Sequence, residues 1–131
     1  MALPQTKAAA IMQENVETIS SHQVISLLMD GALERIEQGV MAIHANNQQD
    51  HLILKGKLIA ILNGLRHSLN LERGGDIATN LNELYLYMTD RLSSTEGSEH
   101  VLALTEVRRL LIEVKYGWDN MPTQPLEVAF G

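Results

Sequence analysis

The stretch LTEVRRLLIEVKYGW, residues 104–118, decides the fold. Leu104, Val107, Leu111, Val114 and Trp118 recur at spacings of three and four without interruption, the heptad rhythm of a helix with one packed seam. A strand would alternate every second residue, and this stretch does not. Working outward, residues 5 to 121 contain no proline, since the three prolines stand at 4, 122 and 125. A turn-rich β-sandwich would not be built that way. Gly117 and Met121-Pro122 mark the end of this last helix, and Ser98 is expected to cap its start.

Three more helices precede it. Ser20 and Gln23 form a capping box that opens the first, whose inner stripe is Ile25, Met29, Ala32, Ile36, Val40 and Ile43. Val24, Leu27, Leu28 and Leu33 widen that stripe beyond one seam. The polar cluster 46–50 reads as the loop that closes it. The second helix is expected over about His51 to Leu71, with Leu54, Leu58, Ile61, Leu65 and Leu69 inward, or Leu62 on the neighbouring row. Asn63-Gly64 lies inside that pattern and reads as a helical glycine permitting close backbone approach. Gly74-Gly75 is the strongest breaker, and one of the two is expected to supply a left-handed C-cap. The third helix then runs over about Asp76 to Leu92 with Ile77, Leu81, Leu84, Met88 and Leu92 inward, and residues 93–97 form a loop. Short loops place successive helices antiparallel. The expected fold is all-α: an antiparallel up-down four-helix bundle with a short N-terminal helix or arm. One domain covers 1–131, with the arm at 1–18, the bundle at 20–119 and a mobile tail at 120–131.

Composition narrows the chemistry. At 131 residues with 45% hydrophobic and 20% charged residues, the chain can bury a real core and is not a disordered polymer. The absence of cysteine removes disulfides, thiol nucleophiles and Cys-based metal sites. A net charge of −6 argues against nucleic acid as a partner. No apolar run approaches the ~18 residues of a membrane span, and the start lacks a basic region followed by an apolar one. A cytoplasmic protein is expected.

Catalytic and metal constellations are missing too. Three residues before His22, His44, His51, His67 and His100 stand Ile19, Met41, Gln48, Gly64 and Gly97, so the Glu-x-x-His pair of a di-iron bundle is absent. No two histidines lie four apart, as a helical zinc pair requires. These histidines are expected at the surface or at helix ends. Gly74-Gly75 lacks the further glycine of a nucleotide loop. Arg108-Arg109 stands among Glu106 and Glu113 and reads as a solvated face. The chain is expected not to be an enzyme and to use no cofactor. What stands out is apolar surface: Leu84-Tyr85-Leu86-Tyr87-Met88 wraps a helix almost all round. Either Tyr85 and Tyr87 cover neighbouring helices, or the run lines a groove for an amphipathic helix.

Three segments also match a known pattern. Leu71-Glu72-Arg73-Gly74-Gly75-Asp76-Ile77-Ala78-Thr79-Asn80-Leu81, then residues 84–88 and Arg91-Leu92, closely resembles the signature of the flagellin export chaperones, the FliS family. Residues 16–23 leading into Leu28-Met29-Asp30-Gly31 resemble that family's first-helix entry, and Leu110-Leu111 with Trp118 its last-helix ending. The resemblance covers about residues 11 to 121. It implies a cytoplasmic bundle that binds the C-terminal segment of flagellin, prevents premature polymerisation and assists delivery to the flagellar type III export gate, without ATP or metal. Ile11 stands where the family usually has an arm tyrosine, Ile19-Ser20-Ser21 where it has alanine-serine-proline, Met29 where an aromatic precedes Asp-Gly, and Leu86 at a commonly polar place. The expected partner-binding residues are Ile11, Leu28, Met29, Leu81, Leu84, Tyr85 and Met88. The competing reading is a helical regulatory or structural interaction module that self-associates or binds a regulator such as the flagellar anti-sigma factor.

Overall fold

In the computed structural model, residues 21–120 are described, apart from the side chains of residues 21 and 71–73. The expected arm, the Ser20 cap and the tail from residue 121 lie outside them. Four helices fill the described chain: α1 Ser21–His44, α2 Gln48–His67, α3 Leu71–Ser93 and α4 Gly97–Asp119. At 1.5 Å per residue each is about 30–36 Å long. Linkers of three residues or so force reversal at each step. His22 accordingly meets Trp118 at one end of the α1–α4 pair. Gly39 faces Leu104 at the other, where a Cβ on the glycine would lie 3.5 Å from the leucine Cδ1. Each helix touches two neighbours, in the ring α1–α2–α3–α4, and α1 and α3 are diagonal. This is an antiparallel four-helix bundle.

The core is drawn from one stripe per helix. Ile25, Met29, Ala32 and Ile36 of α1 meet Leu58, Leu62 and Leu65 of α2, Tyr85, Met88 and Leu92 of α3, and Leu104, Val107, Leu111 and Trp118 of α4. Each large side chain buried in this way contributes roughly 1.5–3 kcal/mol. Val40, Ile43, Leu69 and Val114 are half-buried at the margins. In α3 the inward row is Ala78, Leu81, Tyr85, Met88 and Leu92, not the row beginning at Ile77, which is exposed. Counting back from Leu92 in steps of four and three reaches Ala78, and a small residue there lets the helix pack closely.

Several boundaries differ from the sequence reading, each for a local reason. Helix α2 starts at Gln48 because the Asn47 side chain accepts from the Asp50 amide at 3.1 Å, an N-cap within the polar cluster read as loop. It ends at His67, where Ser68 Oγ donates to the Leu65 carbonyl at 2.6 Å. Gly74-Gly75 therefore does not cap α2. A helical turn over 71–74 leads into a kink at Gly75, with φ 57° and ψ −138°, a region essentially reserved for glycine. Asp76 opens the straight part of α3, as its charge favours. Helix α4 starts at Gly97 rather than after Ser98, with the extended Glu96 at the cap position making no side-chain cap bond. Gly117 lies inside α4 rather than at its end. Gly64 allows no close approach, since an added Cβ there would meet nothing within 4 Å.

Candidate functional site

The seam between α3 and α4 is the loosest of the four in the ring. One polar clasp crosses it. Glu106 of α4 accepts from Tyr87 Oη at 2.5 Å and from Arg91 Nε at 2.7 Å, both on α3. The hydrogen bond from Tyr87, then that from Arg91, holds the Glu106 carboxyl below the usual carboxylate range. The same bond to Glu106 raises the Tyr87 hydroxyl. The clasp also fixes helix phase. Ile77 and Leu84 stand fourteen and seven residues before Arg91, and Leu110 four after Glu106, so all three face along this seam.

From the clasp toward the Trp118 end, the seam is apolar. Leu81 and Leu84 of α3 and Leu110 and Val114 of α4 are half-buried against the core, and Ile77 is exposed beside them. A second apolar strip runs along the start of α1, where Val24, Leu27 and Leu28 are exposed at spacings of three and four. Gly31 packs toward Ile61 of α2, its Cβ position 3.9 Å from the isoleucine Cδ1, and Leu28 and Val24 share that flank.

Those placements sort the expected site residues. Leu28 is 36% exposed, and Leu81 and Leu84 are half-buried, so all three offer surface. Met29 and Met88 are fully buried and Tyr85 is 2% exposed, so these three belong to the core and shape the seam from behind. The run 84–88 turns about 100° per residue, so only part of it can face outward. Burial pushes the Tyr85 hydroxyl far above its usual range. Leu28 does not share a groove with Leu81 and Leu84, because its helix is diagonal to theirs. Ile11 lies outside the described residues. Of the two tyrosine readings, Tyr85 packs inward as core, while Tyr87 stays at the surface and reaches Glu106. Sequence reasoning missed Leu110 and Glu106 as seam residues, although their spacing of four already put them on one row.

The histidines divide unexpectedly. His51 and His100 are buried at 4% and 0%, in T-shaped contact at 4.8 Å between ring centroids, both in the first turn of a helix. The helix-end position was expected and the burial was not. A cavity of about 440 Å³ adjoins His51, and another of about 540 Å³ lies between the end of α1 and the start of α2. Neither involves the apolar seam. Among the described residues no three metal-ligating side chains cluster, and no helix is long and apolar enough to cross a membrane.

The fold defines the class of protein: an all-α antiparallel four-helix bundle with apolar strips on its surface. Residues 4–125 match the family described as Flagellar protein FliS, and the chain belongs to that family. It is 42% identical over 120 residues to the flagellar secretion chaperone FliSB of Pseudomonas aeruginosa, covering 92% of this chain and 94% of that protein. The flagellar secretion chaperone FliS of Salmonella typhimurium is 34% identical over 119 residues, covering 87% and 85%. That of Vibrio cholerae is 32% identical over 113 residues, covering 86% and 83%. The family is one of chaperones, not of enzymes.

Proposed function

We propose that this protein is a cytoplasmic flagellar secretion chaperone that binds the C-terminal segment of flagellin, prevents its premature polymerisation and assists its type III export. One observation carries the reading: half-buried leucines line the α3–α4 seam, and those two helices make the least contact of any neighbouring pair in the bundle. An unstructured partner loses chain entropy on docking and needs a long apolar contact in return. The seam offers Leu81, Leu84 and Leu110, and the α1 strip offers Leu28 with Val24 and Leu27. Met29, Tyr85 and Met88 act through the shape of the wall behind them. The arm carrying Ile11 competes for part of this surface, and the export gate is the expected destination of the complex.

The test is calorimetry with the C-terminal segment of the cognate flagellin. A one-to-one complex is expected, with a large negative heat-capacity change and a gain of helix on mixing. Absence of a complex at micromolar concentration overturns the assignment. The exposed α1 strip alone also fits a self-associating or regulator-binding module, including one that takes an anti-sigma factor. In that case the isolated chain would be a stable dimer, or would bind the regulator and leave the flagellin segment free.

A further inference from the structure

His51 and His100 sit where the α1–α2 and α3–α4 linkers close one end of the bundle. Their hydrogen bonds fix where a proton can go. Thr95 Oγ1 donates its only proton to the Arg91 carbonyl at 2.8 Å, so the contact of 2.9 Å between Thr95 Oγ1 and His100 Nδ1 has the imidazole as donor. The neutral His100 ring therefore carries its proton on Nδ1, and Nε2 is a bare lone pair. That Nε2 is buried without a partner, and so is His51 Nδ1.

The surroundings disfavour a cation there on balance, with only a hydrogen bond to the Thr95 backbone favouring the charged His100 ring. Both rings occupy the fourth position of a helix, at the positive end of the α2 and α4 dipoles. Lys55 of α2 donates to the Thr95 carbonyl at 3.1 Å, which fixes an ammonium beside the pair. From α1, His44 lines the same cavity as His51. Asp50 on α2, Glu96 in the linker and Glu99 on α4 are exposed, and Asp50 is held by Asn47 Nδ2 at 2.9 Å. Arg91 of α3 turns to Glu106. Among the described residues neither ring has a carboxylate partner. The cavity of about 440 Å³, lined by His51 with Asn46, Asn47, Gly97 and Ser98, gives water a path to this end.

We infer that the His51–His100 pair is a proton-operated latch: neutral, it closes the linker end of the bundle, and proton uptake opens that end while the Trp118 end stays shut. Burial, then Lys55, then His51 bring the His100 imidazole down from the usual 6.5 to about 4. Burial and then Lys55 lower His51 in the same direction. With the closed form titrating below the open form, the open state binds more protons between those values, so closure is complete near pH 7.5 and is lost as pH falls. A ring that titrates at 6.5 when open and about 4 when closed opens about tenfold more at pH 5.5 than at pH 7.5.

Amide hydrogen exchange of the whole chain at these two pH values, corrected for intrinsic rates, reads the latch directly. The amides of residues 45–55 and 94–103 are expected to open about tenfold more at pH 5.5, while those of residues 22–30 and 112–118 do not. Unchanged opening, or a uniform change along the chain, overturns the proposal. The double variant His51→Gln with His100→Gln should abolish the difference between the ends, and persistence of that difference also overturns it. Should that variant not fold, nitrogen-15 titration of the wild-type rings decides. His100 is expected to stay neutral with its proton on Nδ1 down to pH 5.5, and titration near 6.5 refutes the latch.

Discussion

His22 and Trp118 hold each other twice. The indole Nε1 donates to the His22 carbonyl at 3.0 Å, and His22 Nε2 donates to the Trp118 carbonyl at 2.6 Å, with the rings stacked 5.4 Å apart at 11°. Because the Trp118 carbonyl can only accept, His22 carries its proton on Nε2. The clasp ties the first turn of α1 to the last turn of α4. Ser26 Oγ donating to Asp119 at 2.8 Å and the Lys115–Asp30 ion pair at 3.4 Å continue the same seam.

Trp118→Phe keeps an aromatic ring in the core and removes one donor, so it should cost about 1 kcal/mol. Trp118→Ala should cost about 3–5 kcal/mol. His22→Ala should shift the indole emission toward that of hydrated tryptophan, because the stacked ring no longer shields it. Denaturant unfolding followed by fluorescence measures both effects. An unchanged emission maximum in His22→Ala would mean that the stack does not shield the indole.

Two glycines should respond to alanine with opposite signs. Gly75 holds φ 57°, ψ −138°, so Gly75→Ala should destabilise by about 1–3 kcal/mol. Gly64 is helical, and its Cβ position is open for 4 Å, so Gly64→Ala should stabilise by about 0.5–1 kcal/mol. Thermal unfolding of both variants checks the contrast, and equal signs would refute the account of the kink.

The Glu106 clasp should show coupling. Tyr87→Phe deletes the bond from Tyr87 Oη and Glu106→Gln removes the charge that strengthens it, so the two together should cost less than the sum of the two. Glu106 is held below its unfolded titration range, so its contribution is present above that range and fades as pH falls through the folded value. Glu106→Gln should flatten stability there. Additive losses would show that Tyr87 and Glu106 act independently.

The core stripes of α1 and α4 were legible because each is a local repeat, and a residue's phase on a helix depends only on its neighbours in sequence. What escaped depended on partners far away or on capping chemistry. Asn47 looks like loop until its side chain is seen to cap α2. Leu28 and Met29 are adjacent leucine-like residues in sequence, and 100° of rotation makes one surface and the other core. His51 and His100 are 49 positions apart, and no local pattern pairs them. Which helix lies next to α3 decides that Leu84 faces a seam, and only the tertiary arrangement carries that.

The last prediction separates seam from core. Leu84→Ser and Leu110→Ser remove half-buried apolar surface from the α3–α4 seam, and Leu28→Ser removes it from the α1 strip. If the flagellin segment lies in the seam, the first two should weaken binding about tenfold, a loss of about 1.4 kcal/mol. Cooperative unfolding should survive in both. Met29→Asp should instead unfold the bundle, because Met29 is fully buried and an unpaired carboxylate there is costly. Deleting residues 1–15, with Ile11, should leave affinity unchanged or raise it, since an occupant competing for the surface lowers apparent affinity by the fraction it covers. Calorimetric titration with the same segment reads the four variants expected to fold, and thermal unfolding reads Met29→Asp. Loss of binding only in Leu28→Ser would move the site to the α1 strip. Abolished binding in the truncated chain with an intact bundle would make the arm part of the site rather than its competitor.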